Sequence, residues 1–480
     1  MDKEDGFTLK VFLAALVCLT AFFLGVAWWA RGGFGRDTDQ SQLSAQAETL
    51  SLQESPVEET QLLEADEPKS GISWGNKILL TDSTNRHKVA GAAAIASGDY
   101  AAAIEAFEAA QTADKLDPET LIYLNNARIG TAEAYAIAAV VPAETTPAIS
   151  TSILRGIAQA QTEVNQAGGI QGKPLRIAIA DDKNSSVFAK EIAEKIVQTP
   201  EILGVIGHNS APAATAAASI YGDQLLAMWP NNTVLDPASL NQDMLPTLAS
   251  DPLVAGALAH YVFKLKHRTA GIFYDGRSDR SRRLKSRFET AFSVNGGMLS
   301  DQVNLAEPQA AASEEATTDL GALEVLVLFA EKNSLQATSA ELKLIPSSPN
   351  HQHPHLLGSY ELFNPVALDQ LGEAADGLIL AVPEELYTSS GAPFSAGALA
   401  IWGQAIDWRT TTSYNTTQSM ISGLRQAPNR ASLQQVFTTE NKTPPYGVRL
   451  LKVEAQPDSA TGYQLTSLGF LAKEDIFVPE

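Results

Sequence analysis

The sequence predicts an α/β protein whose doubly wound parallel sheets repeat in two lobes, and three observations predict it. The first is the stretch from 153 to 233. A helix-like run places Ile153, Ile157, Ala160 and Val164 on one face. An alternating strand at 175–180, a second amphipathic run with Phe188, Ile192 and Ile196, and an apolar strand at 202–207 follow. A small-residue helix and a strand at 225–229 complete the series, and this alternation means parallel βαβ units. The second observation is that the same alternation continues from residue 134 to the C-terminus. The third is size: 480 residues with 45% hydrophobic composition support two or three domains.

Taken in order, the chain opens on residues 1–31 as a transmembrane anchor. Residues 11–30 carry no charge, and as a helix they span roughly 30 Å, the thickness of a hydrocarbon core. Trp28, Trp29 and Arg31 stand where interfacial anchors are expected. The apolar run is longer than the core of a cleaved signal peptide, and no small-residue cleavage site follows. Residues 32–75 read as an acidic spacer, with too little apolar surface to offset chain entropy. From 76 to 130, alanine-rich helices flank a turn at Ser97-Gly98-Asp99, and Asp117-Pro118 starts a further helix. Gly98-Asp99-Tyr100, Ala106-Phe107 and Asp117-Pro118-Glu119 give this segment a resemblance to one tetratricopeptide repeat; a plain helical hairpin packed on the next domain fits equally.

Composition narrows the function. A net charge of −21 argues against nucleic acid, which needs clustered Lys and Arg. The local basic run at 277–287 reads as the solvated face of a helix whose buried face carries Leu284, Phe288 and Phe292. Cys18 is the sole cysteine, so no intrachain disulfide, cysteine zinc site or cysteine nucleophile exists.

The body at 131–480 continues with a first strand at 136–141. After residue 233 come helix 251–264, strand 270–275, helix 279–294, and strands 323–329, 355–358 and 377–382. Helical runs at 396–408 and 416–425 precede strand-like runs at 448–454 and 463–470. The first lobe carries Arg155-Gly156-Ile157-Ala158 and Val164-Asn165-Gln166-Ala167-Gly168-Gly169-Ile170-Gln171-Gly172-Lys173-Pro174-Leu175. Asp181-Asp182, Val205-Ile206-Gly207-His208, Ile220-Tyr221 and Pro230-Asn231-Asn232-Thr233 follow, with a weaker echo at 371–378. These residues resemble the type I periplasmic binding proteins, the branched-chain amino-acid receptor family of ABC importers.

Such a fold closes two lobes on a small ligand, outside the carboxyl ends of the strands. Ser210 and Ala211 start the helix after strand 202–207, where free N–H groups and the helix dipole favour an anion. The resemblance implies that a ligand carboxylate docks there, with Asn231 and the Thr233 hydroxyl completing its cradle. For a ligand ammonium it points to Tyr360 and Glu361, with Glu331 behind them. The chain departs from the family's pattern at Ala211, where a serine is usual, at Asn231 and Asn232, where small residues are usual, and at Tyr360, where an acid is usual.

Other constellations read blandly. Gly168-Gly169 is a helix stop, since no Gly-Lys-Ser/Thr follows. Asp181-Asp182 at a strand end caps the next turn or lines the crevice. His351, His353 and His355 sit in a loop without a neighbouring acid, and no metal or cofactor is expected. No nucleophile–base arrangement or Gly-x-Ser-x-Gly motif calls for catalysis, so the chain is not expected to be an enzyme. The expectation is a solute-binding protein that captures an amino acid or related small polar solute. A single-pass anchor would hold it to a bacterial inner membrane with its folded part in the periplasm, and an ABC permease would be its partner. The alternative is a non-transport interaction or sensor protein with a degenerate binding fold. The pairing of a helical repeat with this fold resembles the outer-membrane activators of peptidoglycan synthases, which would make it a regulator of cell-wall synthesis.

Overall fold

The computed structural model describes residues 71–80, 85–230, 244–246, 249–307, 323–345, 354–389, 392–403, 407–439, 447–456 and 462–476. The apolar segment 11–30, Cys18, the acidic spacer up to residue 70, Asn231, Thr233, His351 and His353 lie outside them. Among the described residues no helix is long and apolar enough to cross a membrane.

A two-residue strand, β1 (Ile72–Ser73), leads into α1 (Arg86–Ala96), α2 (Tyr100–Ala113) and α3 (Pro118–Ile129). Each helix starts on a side-chain cap: Asn85 accepts from His87 N–H, Asp99 from Ala102 N–H, and Asp117 from the N–H groups of Glu119 and Thr120. Pro118 occupies the first helical turn, where a missing N–H costs nothing. Lys88 is buried between Asp117 and Glu119, 2.7 Å from each, while Glu119 also accepts from Leu79 and Leu80 N–H. Helix α3 packs on the first lobe. Asn126 donates to Ile177 O and Trp74 O, and Asn125 bonds Gln161 and Thr162. The helices expected at 76–130 are therefore fused to the neighbouring sheet.

The first lobe runs β2 (Tyr135–Val141), α4 (Pro147–Gln166), β3 (Leu175–Asp181), α5 (Ser186–Val197), β4 (Ile202–Ile206), α6 (Ala211–Tyr221), β5 (Leu226–Trp229) and β6 (Met244–Pro246). Its sheet has the order β1-β3-β2-β4-β5-β6, parallel except for β1, which adds antiparallel to the β3 edge. All seven residues of β2 are buried, the continuous apolar run expected of a strand covered on both faces.

The second lobe follows with α7 (Asp251–Lys264), β7 (Thr269–Tyr274), α8 (Asp279–Val294), β8 (Met298–Asn304), β9 (Val325–Phe329), α9 (Leu335–Leu344), β10 (His355–Ser359), α10 (Pro365–Leu371) and β11 (Ile379–Pro383). The chain continues through α11 (Glu384–Ser389) to α12 (Ala392–Trp402), α13 (Trp408–Gln426) and α14 (Arg430–Thr439). It ends in β12 (Gly447–Ala455) and β13 (Tyr463–Ala472). The order is β13-β12-β11-β10-β9-β7-β8, with β12 and β13 antiparallel.

Helix α13 returns to the first lobe and packs on α4. Thr410 Oγ1 donates to Ser152 O and Ser413 Oγ to Ile153 O, both at 2.8 Å, and Ser152 Oγ donates to Asp407 at 2.6 Å. Gly156 permits this approach, since a Cβ there would collide with Thr410 O and Ser413 Oγ. Arg430 ties α14 to the same lobe by donating to the carbonyls of Ile196, Val197, Thr199 and Ile202. The helical run expected at 396–408 is in fact two elements, with Trp402 closing α12 and Trp408 opening α13. Strand β8 and helices α9, α10 and α14 were not anticipated. The outward residues of β8 are largely solvated, so it lacks the apolar signature of a central strand.

Candidate functional site

A doubly wound sheet leaves a crevice outside the carboxyl ends of its strands, where the winding reverses. In the first lobe that point lies between β2 and β4, and in the second between β7 and β9. The loops after these four strands face one another across a cavity of about 820 Å³. Thr146, Ile149, Asn184 and residues 209–212 form one wall; Asp275, Arg277, Ser278, Asp279, Arg280, Arg283, Glu331 and Asn333 form the other, with Trp408 and Arg409 also lining it.

The first-lobe wall is built around a helix start. Gly207, at φ 135°, turns the chain out of β4 against the Val140 carbonyl, a position that no Cβ would fit. Ser210 is the N-cap of α6, yet its side chain makes no capping bond and its Oγ is buried without a partner. Pro212 removes one donor, and the N–H groups of Ala211 and Ala213 bond no described residue. The helix therefore presents unsatisfied donors and its positive dipole end to the cavity. Behind it, buried His208 pairs through Nδ1 with Asp182 at 2.6 Å and through Nε2 with Tyr221 at 3.0 Å. Asp181 accepts from Ala143, Glu144 and Lys183 N–H and so braces the loop after β2. Burial raises its carboxyl above the usual value despite these bonds.

The second-lobe wall is densely charged, with three arginines among three acids. Arg280 is 5% exposed, so the basic run at 277–287 is not simply a solvated face. Arg280 stands four residues before Leu284, which is four before Phe288, so it shares their buried stripe. That spacing was readable beforehand; the positive charge disguised it. The guanidinium stacks 4.4 Å from the Trp408 ring centroid and 4.5 Å from that of Tyr360, and it pairs with Asp251 and Glu361 at 3.1 Å. Arg277 pairs with Asp275 at 3.2 Å. Arg283 makes no ion pair or hydrogen bond with a described residue, and its Nε is buried. Glu331 accepts from Ser278 Oγ; burial and then the charge of Glu361 raise its pKa.

Of the residues expected to bind ligand, Ser210 and Ala211 line the cleft, while Asn231 and Thr233 lie outside the described residues. Tyr360 and Glu361 do not line it, which corrects their expected place. They follow β10, one strand beyond the reversal, and are turned toward the inter-lobe helix α13. Tyr360 is fully buried and meets the Trp408 ring edge-on. Glu361 Oε2 accepts from Trp408 Nε1 at 2.8 Å, and Arg409 pairs with the carboxylate at 3.3 Å. Burial alone would raise the Glu361 carboxyl, but Arg409 and then Arg280 outweigh it and hold the pKa below the ordinary value. Its charge is already spent on two arginines. Asp251 shows the opposite balance: burial, against the pull of Arg280 and Arg283, lifts its pKa to about 6. Among the described residues no group of acids, histidines or cysteines is arranged to hold a metal.

Comparison with known proteins agrees with this architecture. An "Amino acid binding protein" of Pseudomonas aeruginosa is 30% identical over 80 residues, covering 16% of this chain and 21% of that protein, so the match spans about a fifth of that relative. The solved leucine binding protein of Thermotoga maritima has a TM-score of 0.54 at 15% identity, over 72% of this chain and all of its own. A solute binding protein of an ABC transporter from Rhodopseudomonas palustris, solved with 3,4-dihydroxybenzoic acid, has a TM-score of 0.57 at 13% identity, over 72% of this chain and 99% of its own. At these identities the two structures speak for the fold alone. Residues 134–456, more than half of the chain, match the family described as periplasmic binding protein, and the chain belongs to that family.

Proposed function

We propose that the protein captures a small polar solute bearing an acid group, an amino acid or a related compound, between its two lobes. The observation that carries this is the start of α6, whose donors and Ser210 Oγ stand unused at the wall of a cavity that both lobes line. A carboxylate placed there satisfies N–H groups that otherwise lose hydrogen bonds on closure. Residues 11–30 would hold the protein to a membrane with the lobes outside the cytoplasm, and an ABC permease would accept the solute. The Pseudomonas relative, described as an amino acid binding protein, favours the same reading. The reading is of binding without turnover.

Thermal unfolding of the full chain in detergent, with amino acids, amides and small carboxylates, tests this. A ligand at about a hundred times its Kd adds about 2.7 kcal/mol of stability, enough to raise the melting temperature by several degrees. A cooperative transition unmoved across the panel would overturn solute capture.

A further inference from the structure

We infer that the cleft takes an organic anion carrying no ammonium group, one carboxylate of which Arg283 and the start of α6 clamp from opposite lobes. This rests on the solute-capture reading. An ammonium would need a carboxylate whose charge is not already paired. Asp275 is engaged by Arg277, Asp279 by Arg282, and Glu361 by Arg280 and Arg409. Glu331 is the one lining carboxylate without an ion pair among the described residues; it accepts from Ser278, and burial together with the neighbouring charge of Glu361 disfavours its charged form.

Cationic donors, in contrast, are left over. Arg283 lines the cleft with no acceptor among the described residues, and its Nε is buried. Arg280 is more than nine-tenths buried and lines the same cavity, yet its Nε also lacks an acceptor. Leaving guanidinium N–H groups desolvated and unpaired is costly, and a carboxylate matches their planar fork. Arg283 also lines an adjoining cavity of about 690 Å³ together with Ala211 and Pro212 of α6. The free guanidinium of one lobe and the uncapped helix of the other thus face the same space twice over. An anion between them draws the lobes together, so its charge drives both binding and closure.

Calorimetric titration of the full chain in detergent tests this with pairs differing only in the ammonium: leucine against 4-methylpentanoate, and glutamate against glutarate. The deaminated member of at least one pair should bind tenfold or more tightly than its amino acid. Arg283→Gln should weaken that binding at least tenfold without moving the melting temperature of the unliganded protein, and Arg283→Lys should recover part of it. Tighter binding of the amino acid in both pairs would overturn the ligand class while leaving solute capture intact. Unchanged carboxylate affinity in Arg283→Gln would overturn the clamp. Absence of binding by all four would sink solute capture and this inference together.

Discussion

At the scale of single residues, charge in this protein is decided by what surrounds it. Asp251 and Glu361 share Arg280, yet their pKa values move in opposite directions. Glu361 has Arg409 and the Trp408 indole as well, and these outweigh burial. Asp251 pairs with Arg280 and meets the Tyr360 hydroxyl, while its Oδ2 is buried without a partner. A carboxyl raised to about 6 on folding contributes stability that is fully present below its unfolded pKa, near 4, and is lost as pH rises through about 6. Asp251→Asn should remove that contribution. The stability of the native protein relative to Asp251→Asn should fall by on the order of 1–3 kcal/mol between about pH 4 and pH 6.5. Denaturant titrations across that range measure it, and a constant difference would contradict the assignment. None of this was legible from Asp251 itself, which reads in the sequence as an ordinary first-turn acid.

At the scale of elements, helix starts carry the design. Asp99, Asp117 and Asn85 cap their helices with their own side chains, whereas Ser210 does not. Sequence reasoning marked Ser210 and Ala211 because a strand, a glycine turn and a small-residue helix follow one another there. It could not tell that the serine hydroxyl would decline its usual bond. Ser210→Asp supplies the missing cap and a negative charge, and such a change typically adds about 0.5–1 kcal/mol to a helix. The variant should melt at or above the native temperature while losing any shift induced by carboxylate solutes. A retained shift would mean that ligand binds elsewhere. The basic stretch on α8 shows the converse case. Its apolar spacing marked the buried stripe correctly, but counting arginines as solvent-facing hid Arg280, whose stem and guanidinium fit between two aromatic rings.

At the scale of the whole molecule, the lobes meet at Glu361. The residue follows β10 in the second lobe, while Trp408 and Arg409 open α13, which packs on α4 of the first. Glu361→Gln would leave Arg280 and Arg409 facing an uncharged partner in a buried setting, an arrangement that typically costs about 3–5 kcal/mol. Chemical denaturation should show a loss of that order, and a loss below about 1 kcal/mol would remove Glu361 from its place as the inter-lobe tie. The repeated α/β winding follows from the chain's local pattern, because apolar periodicity and turn residues are local and sheets covered on both faces need continuous apolar strands. The uncapped helix start at Ser210 and Ala211 was legible in the same way, since its position depends only on a strand, a turn and a helix in succession. Tertiary structure alone decided which acids are free, because pairing across a fold depends on separations that no spacing records. Glu361 lies 48 residues from Arg409 and meets it only when the chain crosses back between the lobes. Sequence order placed Tyr360 and Glu361 at the end of a strand; the strand's rank in the sheet moved them off the cleft and put the arginines of the β7 and β9 switch point there instead.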